Sequence, residues 1–168
     1  MKTVLRILYI AVGLFLLIFV EAFFVNLFAF RIIFLLFLFA YKKLDWKDLL
    51  SVSFVISLIM DVTMHYKLGT NLLLFMIPLG VFSLFTLFSS VEDGIGAYIV
   101  RFFSIFLYYV LNLILPSFLL TGTLGSINGR SVLYSFVASL FAILLLFLIN
   151  YMIGGIRKRG SQSQIRLK

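Results

Sequence analysis

The chain has 168 residues, of which 64% are hydrophobic and 18% aromatic, and its mean hydropathy is +1.21. Only 12% of the residues are charged, against about 25% in a typical soluble domain, so the composition predicts an integral membrane protein. The absence of cysteine from the sequence excludes disulfides, thiol catalysis, iron–sulfur clusters and cysteine-ligated zinc. The net charge of +8 is concentrated at the ends of apolar runs, which favours lipid headgroups over nucleic acid as its partner.

The apolar runs predict a compact all-α bundle of six transmembrane helices in residues 1–155, followed by a basic tail in residues 156–168. A spanning helix needs about 20 mostly apolar residues. The predicted helices cover residues 3–20, 23–41, 49–65, 71–88, 97–115 and 131–153. The remaining sequence is too short for a separate soluble domain, so we expect a single membrane domain.

The first two predicted helices form one long apolar stretch without a clear boundary. Residues 3–41 are too many for one span, and the polar residues near the junction are Glu21, Asn26 and Arg31. We therefore expect the chain to break between Glu21 and Arg31. Asp61 is the one acid set within an apolar segment, with no easy route to water.

Proline and glycine mark the expected kinks and ends of the later helices. Pro78 lies inside the fourth run and predicts a kink, because proline lacks the N–H group that a helix uses. The fifth helix is expected to end at Pro116 or soon after it, and Gly154 and Gly155 are expected to end the sixth. The tail that follows is rich in Lys and Arg, so we expect it to be disordered or bound to anionic headgroups.

The basic residues are distributed unequally between the two sides of the predicted bundle. With six spans, eleven of the 14 Lys and Arg residues fall on the side of the two termini, and Arg31, Lys67 and Arg130 fall on the other. An excess of Lys and Arg marks the cytoplasmic side of a membrane protein. Both termini are therefore predicted to be cytoplasmic, and the turn between helices three and four extracytoplasmic.

This turn contains the residues that we consider candidates for a structural or partner-binding site. Asp61 and the only histidine, His65, follow Ser57 at intervals of four, so the three share one face of helix three. A carboxylate within an apolar helix is costly and by default marks a functional site. Gly69 and Asn71 then open the next apolar run.

Two roles remain open for Asp61. It could bind a polar ligand or a proton, or hydrogen-bond a helix of a partner. Alternatively, it could cap the turn or pair with His65 or a nearby lysine. The structural role is favoured because Asp61 lies within two turns of the predicted helix end, where Gly69 permits the chain reversal and Thr70 or Asn71 can cap helix four.

Small and weakly polar residues repeat along helices five and six. They are Ser104, Tyr108, Asn112 and Pro116 on helix five, and Ser135, Ala138, Ser139 and Ala142 on helix six. In lipid, such residues line helix–helix contacts because they allow close approach and interhelical hydrogen bonds. We expect both stripes to be packing seams.

No catalytic, cofactor-binding or metal-binding site is predicted. The sequence lacks an HExxH motif and a Walker loop. A metal site needs three or four ligands, and one histidine with four aspartates and two glutamates supplies few candidates for metal binding or for acid–base catalysis. We therefore expect a protein that is not an enzyme.

The turn between helices three and four resembles that of the MreD family of bacterial rod shape-determining proteins. In that family an apolar helix ends in Asp, and Leu-Gly with a polar or small residue opens the next helix. The corresponding residues here are Asp61, Leu68, Gly69 and Asn71, while Ser57 stands where the family commonly has Gly. Chain length, six predicted spans, cytoplasmic termini and a basic tail also agree with this family.

The resemblance implies a non-enzymatic, multi-pass scaffold in the bacterial plasma (inner) membrane that helps to maintain rod shape and lateral peptidoglycan synthesis. Its implied partners are MreC and, through MreC, the actin-like MreB, RodA and a class B penicillin-binding protein. MreD-like proteins also look like the six-helix substrate-binding subunits of energy-coupling-factor vitamin transporters, so a vitamin-capturing subunit is the alternative. Asp61, His65 and Asn71 would be ligand candidates in that case.

Overall fold

The computed structural model describes residues 2–28, 30–41, 45–89, 95–123 and 127–165. Within these ranges the chain forms six α-helices and no β-strand. The helices are α1 (Lys2–Phe28), α2 (Ile33–Ala40), α3 (Trp46–Thr63), α4 (Thr70–Ser89), α5 (Ile95–Thr121) and α6 (Gly129–Ile165). The prediction of an all-α protein is confirmed.

Three of the helices are long and apolar enough to cross a membrane. The spans are Thr70–Leu87 in α4, Gly96–Thr121 in α5 and Gly129–Tyr151 in α6, and α1 contains a shorter apolar stretch, Val12–Val25. By length and composition, the structure is that of a helical membrane protein.

The first helix ends within the stretch from Glu21 to Arg31 where a break was expected, but later than the predicted end at residue 20. α1 continues through Glu21 to Phe28, and the chain re-enters a helix only at Ile33. Glu21 therefore does not end α1. Its side chain is 1% exposed and turns into the bundle. α2 has eight residues, which is much shorter than the predicted second span.

α2 and its flanking residues nevertheless connect the two ends of the bundle. Before α2, the Arg31 Nη1 atom lies 3.3 Å from Met64 Sδ, just after α3 ends. After α2, the Tyr41 hydroxyl lies 2.8 Å from the Ser83 hydroxyl near the far end of α4. Residues 31–41 therefore extend along part of the bundle, with α2 in their middle.

The ends of α5 and α6 also differ from the predicted ones. α5 continues past Pro116 to Thr121 and ends at Gly122, which has φ 71° and donates its N–H to the Phe118 carbonyl at 2.9 Å. A glycine in this left-handed conformation is a common helix terminator. Gly122, and not Pro116, is the residue at which α5 ends.

α6 continues through Gly154 and Gly155 to Ile165. Glycine lowers helix stability by about 1 kcal/mol relative to alanine, but it does not forbid a helix. The residues from 156 to 165, which were expected to be disordered or bound to headgroups, are therefore helical.

The seams predicted on α5 and α6 pack inside the bundle. The Ser104 hydroxyl donates to the Pro78 carbonyl at 2.8 Å and joins α5 to α4. On α6, Ser139 and Ala142 are fully buried, and the Ser139 hydroxyl donates to the Ser135 carbonyl of its own helix. These residues thus belong to contacts between helices of this chain.

Aromatic rings fix α2 against α4 and α5. Phe34 stacks on Tyr108, with ring centroids 4.2 Å apart and planes at 5°. Phe37 packs against Phe75 at 5.3 Å. Ring pairs of this kind contribute about 0.5–1.5 kcal/mol beyond their buried area, so they hold the short α2 in the middle of the core.

Candidate functional site

Asp61 is fully buried and accepts three hydrogen bonds from the start of α4. The Gly69 N–H donates to Oδ2 at 2.6 Å. The Asn71 N–H and the Asn71 side-chain amide both donate to Oδ1 at 2.8 Å. Both carboxylate oxygens are thus engaged, and the acid of α3 caps the N-terminus of α4, where N–H groups lack partners within the helix.

α3 ends in a backbone motif that places Asp61 correctly. The Tyr66 N–H donates to the Asp61 carbonyl at 2.9 Å, and the His65 N–H approaches the Val62 carbonyl at 3.4 Å. His65 has φ 56°. This pair of bonds around a left-handed residue is a Schellman motif, in which the left-handed position is usually glycine.

The chain then turns into α4 at Gly69. Gly69 has φ 93°, a conformation that glycine adopts without steric cost. The Thr70 hydroxyl donates to the Lys67 carbonyl at 2.6 Å, so it closes the loop rather than capping α4. The capping expected of Thr70 or Asn71 is supplied by Asp61.

The five residues proposed from the sequence divide into two groups. Asp61, Gly69 and Asn71 form one hydrogen-bonded unit. Ser57 is buried but donates to the Phe54 carbonyl of its own helix at 2.9 Å, and the His65 side chain is exposed. The Asp61 oxygens are bonded by Gly69 and Asn71, not by His65.

His65 offers a test of whether its backbone or its imidazole is important. His65→Gly is expected to raise the free energy of unfolding by about 1 kcal/mol, because the left-handed conformation costs about 1–2 kcal/mol for a residue with a Cβ. His65→Ala is the matched control, since it removes the imidazole but keeps the Cβ. Thermal unfolding of the purified protein in detergent measures both, and a loss of stability in His65→Gly would contradict the backbone role.

A second buried polar group lies at the start of α2. The Glu21 Oε2 atom accepts the N–H groups of Ile32 and Ile33 at 2.7 and 3.0 Å. The Arg31 N–H donates to the Tyr109 hydroxyl at 3.2 Å. Two acceptors from α1 and α5 therefore bind the backbone where the chain enters α2, as Asp61 does for α4.

The Arg31 guanidinium lies within this group and is 5% exposed as a residue. It interacts electrostatically with Glu21, Tyr108 and Tyr66. Its Nη1 atom also contacts Met64 Sδ, three residues beyond Asp61. The Glu21–Arg31 group and the Asp61 turn are therefore neighbours at one end of the bundle.

Sequence reasoning missed the Glu21–Arg31 group. Glu21 was expected to lie at a break between helices, and Asp61 was taken as the one acid inside an apolar helix. The available signal was an acid flanked on both sides by long apolar runs with no turn residue. Read in that way, Glu21 would have been a second buried acid in need of a partner.

The carboxylates of Asp61 and Glu21 both accept N–H groups at the start of a helix. In the described parts of the chain, no three His, Asp or Glu residues lie close enough together to hold a metal ion. No protein-family model, no curated protein and no solved structure matches this chain.

Proposed function

We propose that this protein is a non-enzymatic scaffold of the bacterial elongation machinery, similar to MreD, which docks an MreC-like protein and, through it, MreB, RodA and a class B penicillin-binding protein. The observation that carries the proposal is the Asp61 turn. Asp61, Gly69 and Asn71, which the resemblance singles out, form one closed hydrogen-bonded unit. Because both oxygens of the Asp61 carboxylate already accept hydrogen bonds within the chain, the turn suits a rigid docking platform better than proton or ligand transfer.

The proposal includes six membrane crossings with both termini in the cytoplasm of a bacterial plasma membrane. The Lys and Arg bias supports this orientation. α4, α5 and α6 are long and apolar enough for three crossings. We assign two more to α1 and α3, and the sixth to the segment that contains α2, which is non-helical before Ile33. Non-helical backbone at membrane depth is tolerated where protein buries it, and Glu21 and Tyr109 bind that backbone here.

Partner helices would contact apolar faces that the bundle leaves open. Tyr9 and Phe15 of α1 are each 70% exposed, and the outward face of α6 is also apolar and exposed. Between them lies an apolar groove of about 370 Å³. Its lining residues are Phe24, Phe30, Tyr134, Val137, Ala138, Phe141 and Leu145. Such a groove at membrane depth supports packing of a helix or a lipid chain.

The alternative is a substrate-binding subunit of an energy-coupling-factor-type vitamin transporter. The buried Glu21–Arg31 group favours it, because a capture subunit needs convergent polar side chains inside the bundle. The closed Asp61 turn and the exposure of His65 argue against Asp61, His65 and Asn71 as its ligand-binding residues.

Affinity purification in mild detergent separates the two proposals. With the tagged chain expressed in its native host, we expect an MreC-like protein to be recovered at a level above that obtained with an unrelated multi-pass protein of similar size. Recovery of transporter ATPase subunits without an MreC-like protein would contradict the scaffold and support the transporter subunit.

A further inference from the structure

Four polar atoms at the α3–α4 end of the bundle are buried and have no hydrogen-bond partner among the described residues. They are Glu21 Oε1, Asn71 Oδ1, the Tyr108 hydroxyl oxygen and Asn112 Oδ1. A buried polar atom without a partner costs about 1–3 kcal/mol, and proteins satisfy nearly all such atoms with protein, water or ligand. Four together require an explanation.

The contacts between α4 and α5 place these atoms in one layer. Phe75 stacks on Tyr108 at 6.0 Å. Because these consecutive helices run antiparallel, one turn back from Phe75 on α4 and one turn forward from Tyr108 on α5 reach the same level. Residues four apart share a helix face, so Asn71 and Asn112 both lie next to this pair.

Glu21 reaches the same layer from α1. It interacts electrostatically with Tyr108, as does Arg31. The Arg31 guanidinium lies near the Tyr108 hydroxyl. The unsatisfied atoms therefore come from three helices, and two of them belong to Glu21 and Tyr108, which interact with the buried Arg31.

The chemistry of the four atoms defines what they can bind. Three are pure acceptors, and the Tyr108 hydroxyl can accept or donate. Their complement is a molecule that supplies hydrogen-bond donors. A bare metal cation is disfavoured, because the Arg31 guanidinium lies in the same layer and like charges repel.

We propose that Glu21, Asn71, Tyr108 and Asn112 form a binding site for a small molecule that donates at least two hydrogen bonds through O–H or N–H groups. The donors come either from internal water or from a small hydroxylated or aminated solute. The site is independent of the scaffold role, since it lies inside the bundle and needs no protein partner.

Tyr108→Phe tests the site through the sign of the change in melting temperature. If a bound molecule bonds the hydroxyl, we expect the variant in detergent to melt about 2–4 °C lower, which corresponds to one lost hydrogen bond. If the hydroxyl has no partner, its removal relieves an unsatisfied group, and the melting temperature stays the same or rises. Tyr109→Phe is the matched control, because the Tyr109 hydroxyl accepts the Arg31 N–H and its loss lowers the melting temperature in either case.

The Tyr108→Phe variant also changes the surroundings of the Arg31 charge. A second variant, Asn112→Leu, therefore tests the site without that effect. A bound donor predicts that this variant too melts at a lower temperature, whereas an unbound amide oxygen predicts an equal or higher one. A fall in both variants supports the site. An unchanged or raised melting temperature in either variant overturns it.

Native mass spectrometry of the wild-type chain then distinguishes the two sources of donors. A retained mass that is lost in Tyr108→Phe and Asn112→Leu, but kept in Tyr109→Phe, identifies an organic solute. The bare mass of the chain, together with lower melting temperatures for both site variants, identifies water. Failure of the site leaves the scaffold proposal intact, because the pull-down experiment does not involve these residues.

Discussion

Replacement of Asp61 by alanine is expected to destabilise the protein by about 3 kcal/mol or more. The substitution leaves the Gly69 N–H, the Asn71 N–H and the Asn71 amide without their acceptor inside a buried turn. Each buried donor that loses its partner costs about 1–3 kcal/mol. Unfolding of the purified protein in detergent by heat or by a denaturant measures the loss.

Two further variants show whether the loss comes from the carboxylate itself. Asp61→Asn keeps one acceptor oxygen but places an NH₂ group against the donors of α4, so we expect it to be nearly as unstable as Asp61→Ala. Asp45→Ala is the matched control. Asp45 also stands at a helix N-terminus, but it is exposed and makes no capping hydrogen bond, so its removal should change stability by less than 1 kcal/mol. Equal stability of all three variants would contradict the capping role.

The position of this turn can be predicted from the sequence because the signals that mark it are local. An acid near the end of an apolar helix, followed within ten residues by a glycine and a polar residue, predicts a reversal on steric and hydrogen-bonding grounds. The direction of the cap was not predictable in the same way. Asp61 was itself a capping candidate for the turn, beside Thr70 and Asn71, and local spacing does not decide between them.

Helix ends were predicted less well where a single residue was given too much weight. α5 was expected to end at Pro116 or soon after it, but Pro116 removes one backbone donor and leaves the helical path open to Gly122. The pair Gly154 and Gly155 was expected to end α6, which continues through both. At Gly122 and after α3 at His65, the helix ends in a positive φ with its own hydrogen bonds, and composition alone does not reveal which residue takes that conformation.

The Glu21–Arg31 group could not be assembled from sequence spacing. Its members come from α1, from the segment before α2 and from α5, so their proximity depends on how the chain folds back after Phe28. Periodicity reports faces within one helix. It carries no information on contacts across 78 positions, such as that between Arg31 and Tyr109.

The second large effect is expected at Glu21. Glu21→Ala removes the acceptor of the Ile32 and Ile33 N–H groups and leaves the buried Arg31 without its acidic neighbour. Each buried N–H that loses its acceptor costs about 1–3 kcal/mol, and the loss of an acid near a buried cation adds to this cost. We expect a loss of this size, with early exposure of the segment before α2, which proteolysis or hydrogen exchange at residues 30–33 would detect.

A double-mutant cycle separates the effect of the Glu21 charge from the role of Glu21 as the N-terminal cap of α2. Glu21→Gln keeps an acceptor for the two N–H groups but removes the negative charge, and Arg31→Met removes the positive charge while keeping an apolar chain of similar length. If the two charges compensate each other, each single variant is destabilised and the double variant is more stable than the sum of the two losses predicts, by about 1 kcal/mol or more. Additive losses would mean that Glu21 acts only as the cap of α2. Because Arg31 also contacts Met64 beside the Asp61 turn, a coupled result would further imply that the two buried acids stabilise one end of the bundle together.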